Sequence, residues 1–461
     1  MVNIVLMLLA ALIVRHQYKR DCIRGLGVAF FLLVLMPDSI RVALPSGLPN
    51  VTIHRVLLVV LSLCTLTSSL PSAPLTRVSF GRVLLWMTWS NLASTLLSPF
   101  FLVSAKRYLY FLMEVVGTFW IVRKSVKSAD DARRLLNCIG MGLAAAAAIA
   151  IVERYLGLKI SDLFPQDLDQ ERFYWSGSST DITGTYQHRI LLGLACALGA
   201  LKYLQDLMSD TSKSGKGLTF LCAVGCLTAL YFSVSRGPWL AFGIGFIGLV
   251  GMMGTRGIKW GLLLAVLVLS VLLARPGIWT TISDLSSSTF DATTLKGSSY
   301  QWRFVVIETA LAQMSKAGIL NELFGFGGGS QIMNMSEFGK YEIAPGIRLP
   351  VASWDCEYAV ILYDRGWLGL LLLLLLSGMG LARIAQLVRA TRDAATRNVS
   401  VSVFVGLLFF ATARTNVALY APQLTYVEML LLGLASVLLD KAMVENQKES
   451  KSTQYAAKQG G

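Results

Sequence analysis

The sequence predicts an all-α polytopic membrane protein, and three observations carry that reading. Of the 461 residues, 54% are hydrophobic and 15% charged, against about 25% charged in an ordinary globular domain; a soluble enzyme, a disordered chain and a coiled coil are excluded. Apolar runs bounded by Lys or Arg, Pro or Gly recur from end to end, and at about 20 residues per crossing the length holds about twelve to thirteen helices. The formal charge of +14 is gathered in alternate short segments, as in cytoplasmic loops. In a soluble chain the same surplus would suggest a nucleic-acid surface.

The spans are expected at 2–14, 25–37, 51–70, 82–100, 107–122, 135–156, 187–204, 218–234, 238–254, 260–274, 357–381, 399–413 and 422–439. The first run, Met1 to Val14, lacks a basic leader and a small-residue cleavage site, so it is read as a retained anchor. Between spans, cations cluster at Arg15 to Arg24, Arg77 and Arg82, Arg123 to Arg134, Lys202 to Lys216, Arg256 and Lys259, Arg383 to Arg397, and in the lysines of the tail. These hold more than half of the 41 Lys and Arg and assign one face, with the C-terminus, to the cytoplasm. The chain then divides into N-terminal membrane helices (1–274), a large extracytoplasmic loop with short helices (275–356), C-terminal membrane helices (357–440) and a disordered cytoplasmic tail (441–461).

The loop 275–356 is the exception in this pattern. Structureless connections beyond about 15 residues are uncommon and usually functional, and this one carries its own aromatic and apolar positions. It reads as a small cap over the bundle. Its helix is expected at 301–316, where Trp302, Val305, Val306, Thr309, Ala310 and Gln313 recur at helical spacing.

Cysteine chemistry is not indicated: Cys64, Cys138, Cys196, Cys222 and Cys226 lie in or beside apolar runs, where cysteine behaves as a small hydrophobe, and no metal-ligand spacing occurs. Ionisable groups at the edges of spans are the candidates for function. Arg236, in Ser235-Arg236-Gly237-Pro238-Trp239, sits where Gly and Pro force a break between two spans; it points into the bundle or the outer cavity, or it snorkels to headgroups. Arg303 opens the loop helix, where a cation does not favour the dipole. Gly325-Phe326-Gly327-Gly328-Gly329 is a turn whose amides either receive an anion or lend flexibility. Asp355 and Glu357 stand at the N-terminal end of the next membrane helix. Both carboxylates cap that helix, or one of them is a general base reaching an acceptor hydroxyl.

Three of these segments, in this order, resemble the superfamily of O-antigen ligases and Wzy-type O-antigen polymerases of bacterial surface-polysaccharide assembly. They are Ser235-Arg236-Gly237 with Trp239; Arg303 opening a helix that leads to Leu323-Phe324-Gly325-Phe326-Gly327; and Tyr358 to Gly369, ending Asp364-Arg365-Gly366-Trp367-Leu368-Gly369. Gly184-Thr185-Tyr186 also looks like the family, and the resemblance covers most of 180–385. It implies a GT-C-like, inverting, metal-independent glycosyltransferase of the bacterial inner membrane with no cofactor. Its donor is a glycan on undecaprenyl pyrophosphate, with Arg236 and Arg303 binding the pyrophosphate on the periplasmic side. A chain-length regulator and a flippase of the same pathway would be its partners, and nucleic acid would not.

One departure matters. The ligases carry a His-Asn pair where the loop meets the next span, and here that place reads Trp354-Asp355-Cys356-Glu357. A polymerase acting on a lipid-linked repeat unit is therefore expected, with Asp355 as base or acceptor-orienting residue and Glu357 second. His188, beside Arg189 at the outer end of another span, and Arg365 are further candidates. Ligation to lipid A core or another acceptor is the alternative. A flippase or other transporter is the second alternative, but no internal repeat of the transporter kind is present.

Overall fold

A computed structural model describes residues 2–42, 50–68, 78–160, 182–186, 188–209, 215–274, 283, 287, 295–334, 340–344, 347–350, 354, 356–419 and 421–459, excepting the side chains of 264, 267–274, 295–303, 340–350 and 445–459. Helices dominate, and among the described residues six of them are long and apolar enough to cross a membrane: Val2–Arg20, Ala129–Leu156, Arg189–Met208, Arg236–Met253, Glu357–Ala390 and Ala394–Ala413. Cys22–Leu35, Ile53–Leu66 and Lys216–Phe232 are shorter apolar helices. This is an all-α membrane protein. A helix in lipid satisfies its backbone internally, which is why apolar runs of this length become helices.

The helix boundaries follow from capping chemistry. Asp21 accepts from the Ile23 amide at 2.9 Å and starts Cys22–Leu35 only one residue after Arg20 ends the first helix. Ser128 and Asp131 form a reciprocal capping box at the start of Ala129–Leu156, and Gly157 ends that helix at φ 67°. Asp393 accepts from Ala395 and Thr396 to begin Ala394–Ala413. These signals place the helices beyond the apolar runs: the run expected at 135–156 begins at Ala129, and that at 357–381 continues to Ala390.

Small residues let the helices approach, as packing in lipid requires. A Cβ at Gly142 would come within 3.1 Å of the Phe31 carbonyl, and one at Gly199 within 2.9 Å of Cys226 Sγ. The expected span at 107–122 is one continuous segment of Phe101–Phe111, a π-turn at Leu112–Gly117 and Thr118–Ser125. The last helix, Pro422–Gln459, runs on through the stretch from 441 expected to be disordered. Its Ala, Glu, Lys and Gln are strong helix formers, so propensity continues the helix where hydropathy ends.

Side-chain contacts define two ends. At the Lys- and Arg-rich end, Asp440 accepts from the Ser79 hydroxyl at 2.7 Å and pairs with Arg123, and Lys124 donates to the Thr65 carbonyl at 2.7 Å. At the opposite end the Met36 carbonyl accepts from His54 Nε2 at 3.0 Å and from Gln423 Nε2 at 3.2 Å. Within the 275–356 segment, helices span Leu295–Ala317, Ile319–Phe324 and Ser330–Met333, and a hairpin pairs Lys340–Ala344 with Ile347–Pro350.

Removing the Asp440 acceptor should loosen the basic end alone. Asp440→Ala leaves Ser79 and Arg123 without their partner, at a cost of about 1–3 kcal/mol. A fall in the melting temperature of the detergent-solubilised protein is expected, and an unchanged melting curve would refute the staple.

Candidate functional site

The glycine turn and the Asp-Arg-Gly segment, separate in sequence, are one structure. Gly366 takes φ 68° and breaks the helix Glu357–Ala390 within its second and third turns. The break leaves carbonyls of the preceding turn without helical donors, and in an apolar bundle these need other partners. The glycine turn supplies them: the Phe326 amide donates to the Tyr363 carbonyl at 3.0 Å and the Gly327 amide to the Asp364 carbonyl at 2.9 Å. Ser94 Oγ adds a bond to the Asp364 carbonyl at 2.7 Å.

The Asp364 side chain completes the clasp. Its carboxylate accepts from the Gly329 amide at 2.8 Å and the Gln331 amide at 3.2 Å. With its amide oriented to satisfy the network, the Gln331 side chain donates to both oxygens at 3.0 Å. Only glycine fits here. A Cβ at Gly366 would collide with the Leu323 carbonyl, one at Gly327 with the hydroxyls of Ser98 and Ser104, and both positions have positive φ.

Above the clasp, the loop helix Leu295–Ala317 packs on the start of the membrane helix. Val306, Ala310 and Met314 bury against Trp354, Ala359, Val360 and Tyr363. The Tyr363 hydroxyl donates to Gln313 Oε1 at 2.8 Å. Position 303 lies one turn before Val306 on this helix. The Arg303 side chain and the whole of Asp355 lie outside the described residues.

Glu357 is held in a different bond. Its carboxylate accepts from the Leu419 amide at 2.9 Å, and its own amide donates to the Arg414 carbonyl at 3.0 Å. Glu357 thus ties the start of its helix to the turn 414–419. Behind that turn Arg414 donates to Glu428 at 2.6 Å, a buried ion pair.

The same turn receives the Arg236 segment. A Cβ at Gly237 would approach Val417 Cγ2 at 3.2 Å and Asn416 Cβ at 3.5 Å. Arg236 is the first residue of its helix and is exposed. Just before it, Val234 holds φ 47°, an outlier for a β-branched residue and a form of strain that clusters at functional sites. Pro238 and Ser233 abut Gly193, so the helix beginning at Arg189 adjoins this turn. His188 caps that helix, Nδ1 accepting from the Ile190 amide at 3.3 Å. Glu153, buried, accepts from the Gly184 amide at 2.6 Å and holds the Gly184-Thr185-Tyr186 stretch in place.

Comparison with protein-family models and with curated proteins finds no match for this chain.

The structure therefore brings together Arg236, Glu357, the helix of Arg303 and the Asp364 to Gly366 break. Arg365 holds its guanidinium over the Phe111 ring at 5.1 Å, where the charges of Asp364, Glu357 and Arg414 act on it. Sequence reasoning passed over Glu114, Arg414, Glu428 and the Asp364 clasp. The signal for the first three was present: ionisable residues within or beside apolar runs. Glu114 lies on the π-turn and pairs with Arg55 at 3.5 Å, while Arg55 stacks on Tyr110 at 3.5 Å. Beside them Asp38 faces His54 at 3.4 Å. Burial raises the Asp38 carboxyl, but the His54 hydrogen bond and the charges of His54, Arg55 and Arg41 outweigh it and hold the group below its ordinary value. That contribution is complete at neutral pH and is lost as the pH falls through the lowered value.

The clasp gives a direct test. Asp364→Ala strands two buried amides, each costing about 1–3 kcal/mol. Hydrogen exchange at 325–331 should rise while the helices at the basic end stay protected. Unchanged protection at Gly329 and Gln331 would show that the carboxylate does not hold the turn.

Proposed function

We propose that this protein is a polymerase-type glycosyltransferase that takes a glycan from a polyprenyl pyrophosphate carrier and joins it to a sugar hydroxyl of a lipid-linked repeat unit. The observation that carries the reading is the convergence of three segments far apart in sequence. The Arg236 turn abuts 416–417, that turn is bonded to Glu357, and the helix of Arg303 packs on the residues that follow Glu357. These are the segments in which the resemblance to O-antigen ligases and polymerases resides.

In this reading Arg236 and Arg303 grip the donor pyrophosphate. Guanidinium forks match phosphate oxygens bidentately, and the charge they face grows as the glycosidic C–O bond breaks, so they favour the transition state over the bound donor. Asp355 takes the proton of the acceptor hydroxyl as its oxygen attacks the anomeric carbon from the face opposite the leaving pyrophosphate. The configuration inverts. Glu357 acts as a positioning residue, holding the 414–419 turn against the start of the helix. The polyprenyl carrier requires a membrane site, which an apolar bundle of this size provides. The site belongs to the extracytoplasmic face of a bacterial inner membrane, the end opposite the basic one.

The test is a purified, detergent-solubilised assay with lipid-linked oligosaccharide, read on a gel. A ladder of repeats is expected from the wild-type protein, whereas one transfer to another acceptor would assign it as a ligase and no transfer would reject the enzyme. Arg236→Ala and Arg303→Ala should each abolish the ladder at unchanged protein level, and Arg→Lys should restore it poorly because the fork is lost. Normal chain lengths in both alanine variants would sink the donor site. Asp355→Asn should lower turnover far more than donor binding; full activity would return that residue to helix capping.

A further inference from the structure

Two guanidinium groups outside the donor site, from different helices, meet one face of the helix Phe101–Phe111. Arg107, on Phe101–Phe111, rests against the glycine turn: a Cβ at Gly328 would lie 3.0 Å from Arg107 Cβ and one at Gly329 3.4 Å from Arg107 Cγ. Four residues on, and therefore on the same face, Phe111 carries the guanidinium of Arg365 over its ring at 5.1 Å. The charges of both Arg365 and Arg107 act on one carboxyl, that of Asp364, so the two guanidiniums border one common space, into which a phosphate or pyrophosphate group fits.

The carboxylate on which both charges act, Asp364, is taken up by the amides of Gly329 and Gln331, and among the described residues no hydrogen bond or ion pair reaches Arg107 or Arg365, the latter resting on the Phe111 ring. Arg55, by contrast, is engaged by the Asn50 carbonyl at 2.6 Å and by Glu114. Arg107 is exposed and Arg365 half-buried. Around them Leu102 is 75% exposed, Leu109 49% and Trp367 48%, so a ligand with a charged head and an apolar tail fits the surroundings.

We propose that Arg107 and Arg365 form a second lipid-phosphate site, and that it holds the pyrophosphate of the acceptor while Arg236 and Arg303 hold that of the donor. A polymerase joins two lipid-linked glycans and must seat two phosphate heads at once. The start of helix Glu357–Ala390 separates the two positions: Glu357 is bonded to the turn beside Arg236, and Arg365 leans on the helix of Arg107. The acceptor role rests on the glycosyltransferase reading above, whereas the binding site stands on the geometry alone.

Full-length protein in nanodiscs of zwitterionic lipid, titrated with geranylgeranyl pyrophosphate and read by native mass spectrometry, tests it. Wild-type protein should bind two molecules. R107A/R365A should lose one and keep the one that R236A/R303A loses. The R107Q/R365Q variant, which preserves the aliphatic stems, repeats the measurement where alanine impairs folding. A single molecule bound by the wild type and kept by R107A/R365A, or two retained by both variants, overturns the second site. Phosphatidylglycerol displacing the probe from this site at equal concentration would make it a general anionic-lipid site and overturn the acceptor role. In the gel assay R107Q/R365Q should raise the KM for the lipid-linked acceptor at least tenfold with the KM for donor unchanged; an unchanged acceptor KM also overturns that role. A single molecule bound by the wild type, lost in R107A/R365A and kept in R236A/R303A, refutes the preceding reading and leaves this site intact.

Discussion

The Asp364 carboxylate is the interaction on which the candidate site depends. A carboxylate inside an apolar bundle is costly unless its oxygens are bonded, and here they receive the amides of Gly329 and Gln331. The break at Gly366 creates the complementary need, since it turns the Tyr363 and Asp364 carbonyls away from their own helix toward Phe326, Gly327 and Ser94. Each half resolves the other's unsatisfied groups. These bonds join the kinked helix to the glycine turn, and the loop helix that carries Arg303 packs on the same helix start.

Buried ion pairs extend this rigidity across the same end of the bundle. Arg414 and Glu428 lie 2.6 Å apart, with side-chain exposures of 8% and 4%, and Arg55 bridges Glu114 and the Asn50 carbonyl. Such pairs add little net stability because desolvation offsets their attraction, yet removing one partner strands the other charge. Their effect is to specify which helices meet. The 414–419 turn, held on one side by Glu428 and on the other by Glu357, becomes a fixed wall for the Arg236 segment.

That arrangement suits chemistry on a charged leaving group. Preorganised donors help most where charge develops, and they help more in a site with little water. The strained backbone at Val234 and the forced glycines at 325, 327, 329 and 366 show where the chain accepts unfavourable local geometry to hold a shape. The most specific geometry of the molecule therefore gathers at the end away from the basic loops. There the helix ends are tied by side-chain bonds and backbone clasps beside a small apolar cluster of the loop helix and the start of Glu357–Ala390.

The sequence by itself determined the membrane class, the approximate helices and the segments worth attention, because hydropathy, cap residues and the sorting of cations act locally along the chain. Cap chemistry was legible in Asp21, Ser128 and Asp393, although the apolar run alone set several boundaries too short. The C-terminal stretch went the other way, since hydropathy marks a span and says nothing of a polar helix that continues it. Only the tertiary structure decided that the glycine turn belongs to Asp364, where the sequence left open an anion site or a flexible turn. It alone paired Arg414 with Glu428 and set Arg365 over the Phe111 ring. These partners are separated by between 14 and 254 residues of chain, and a contact of that range leaves no periodic trace: it arises when a buried charge or a freed carbonyl must find a partner and the fold puts one within reach.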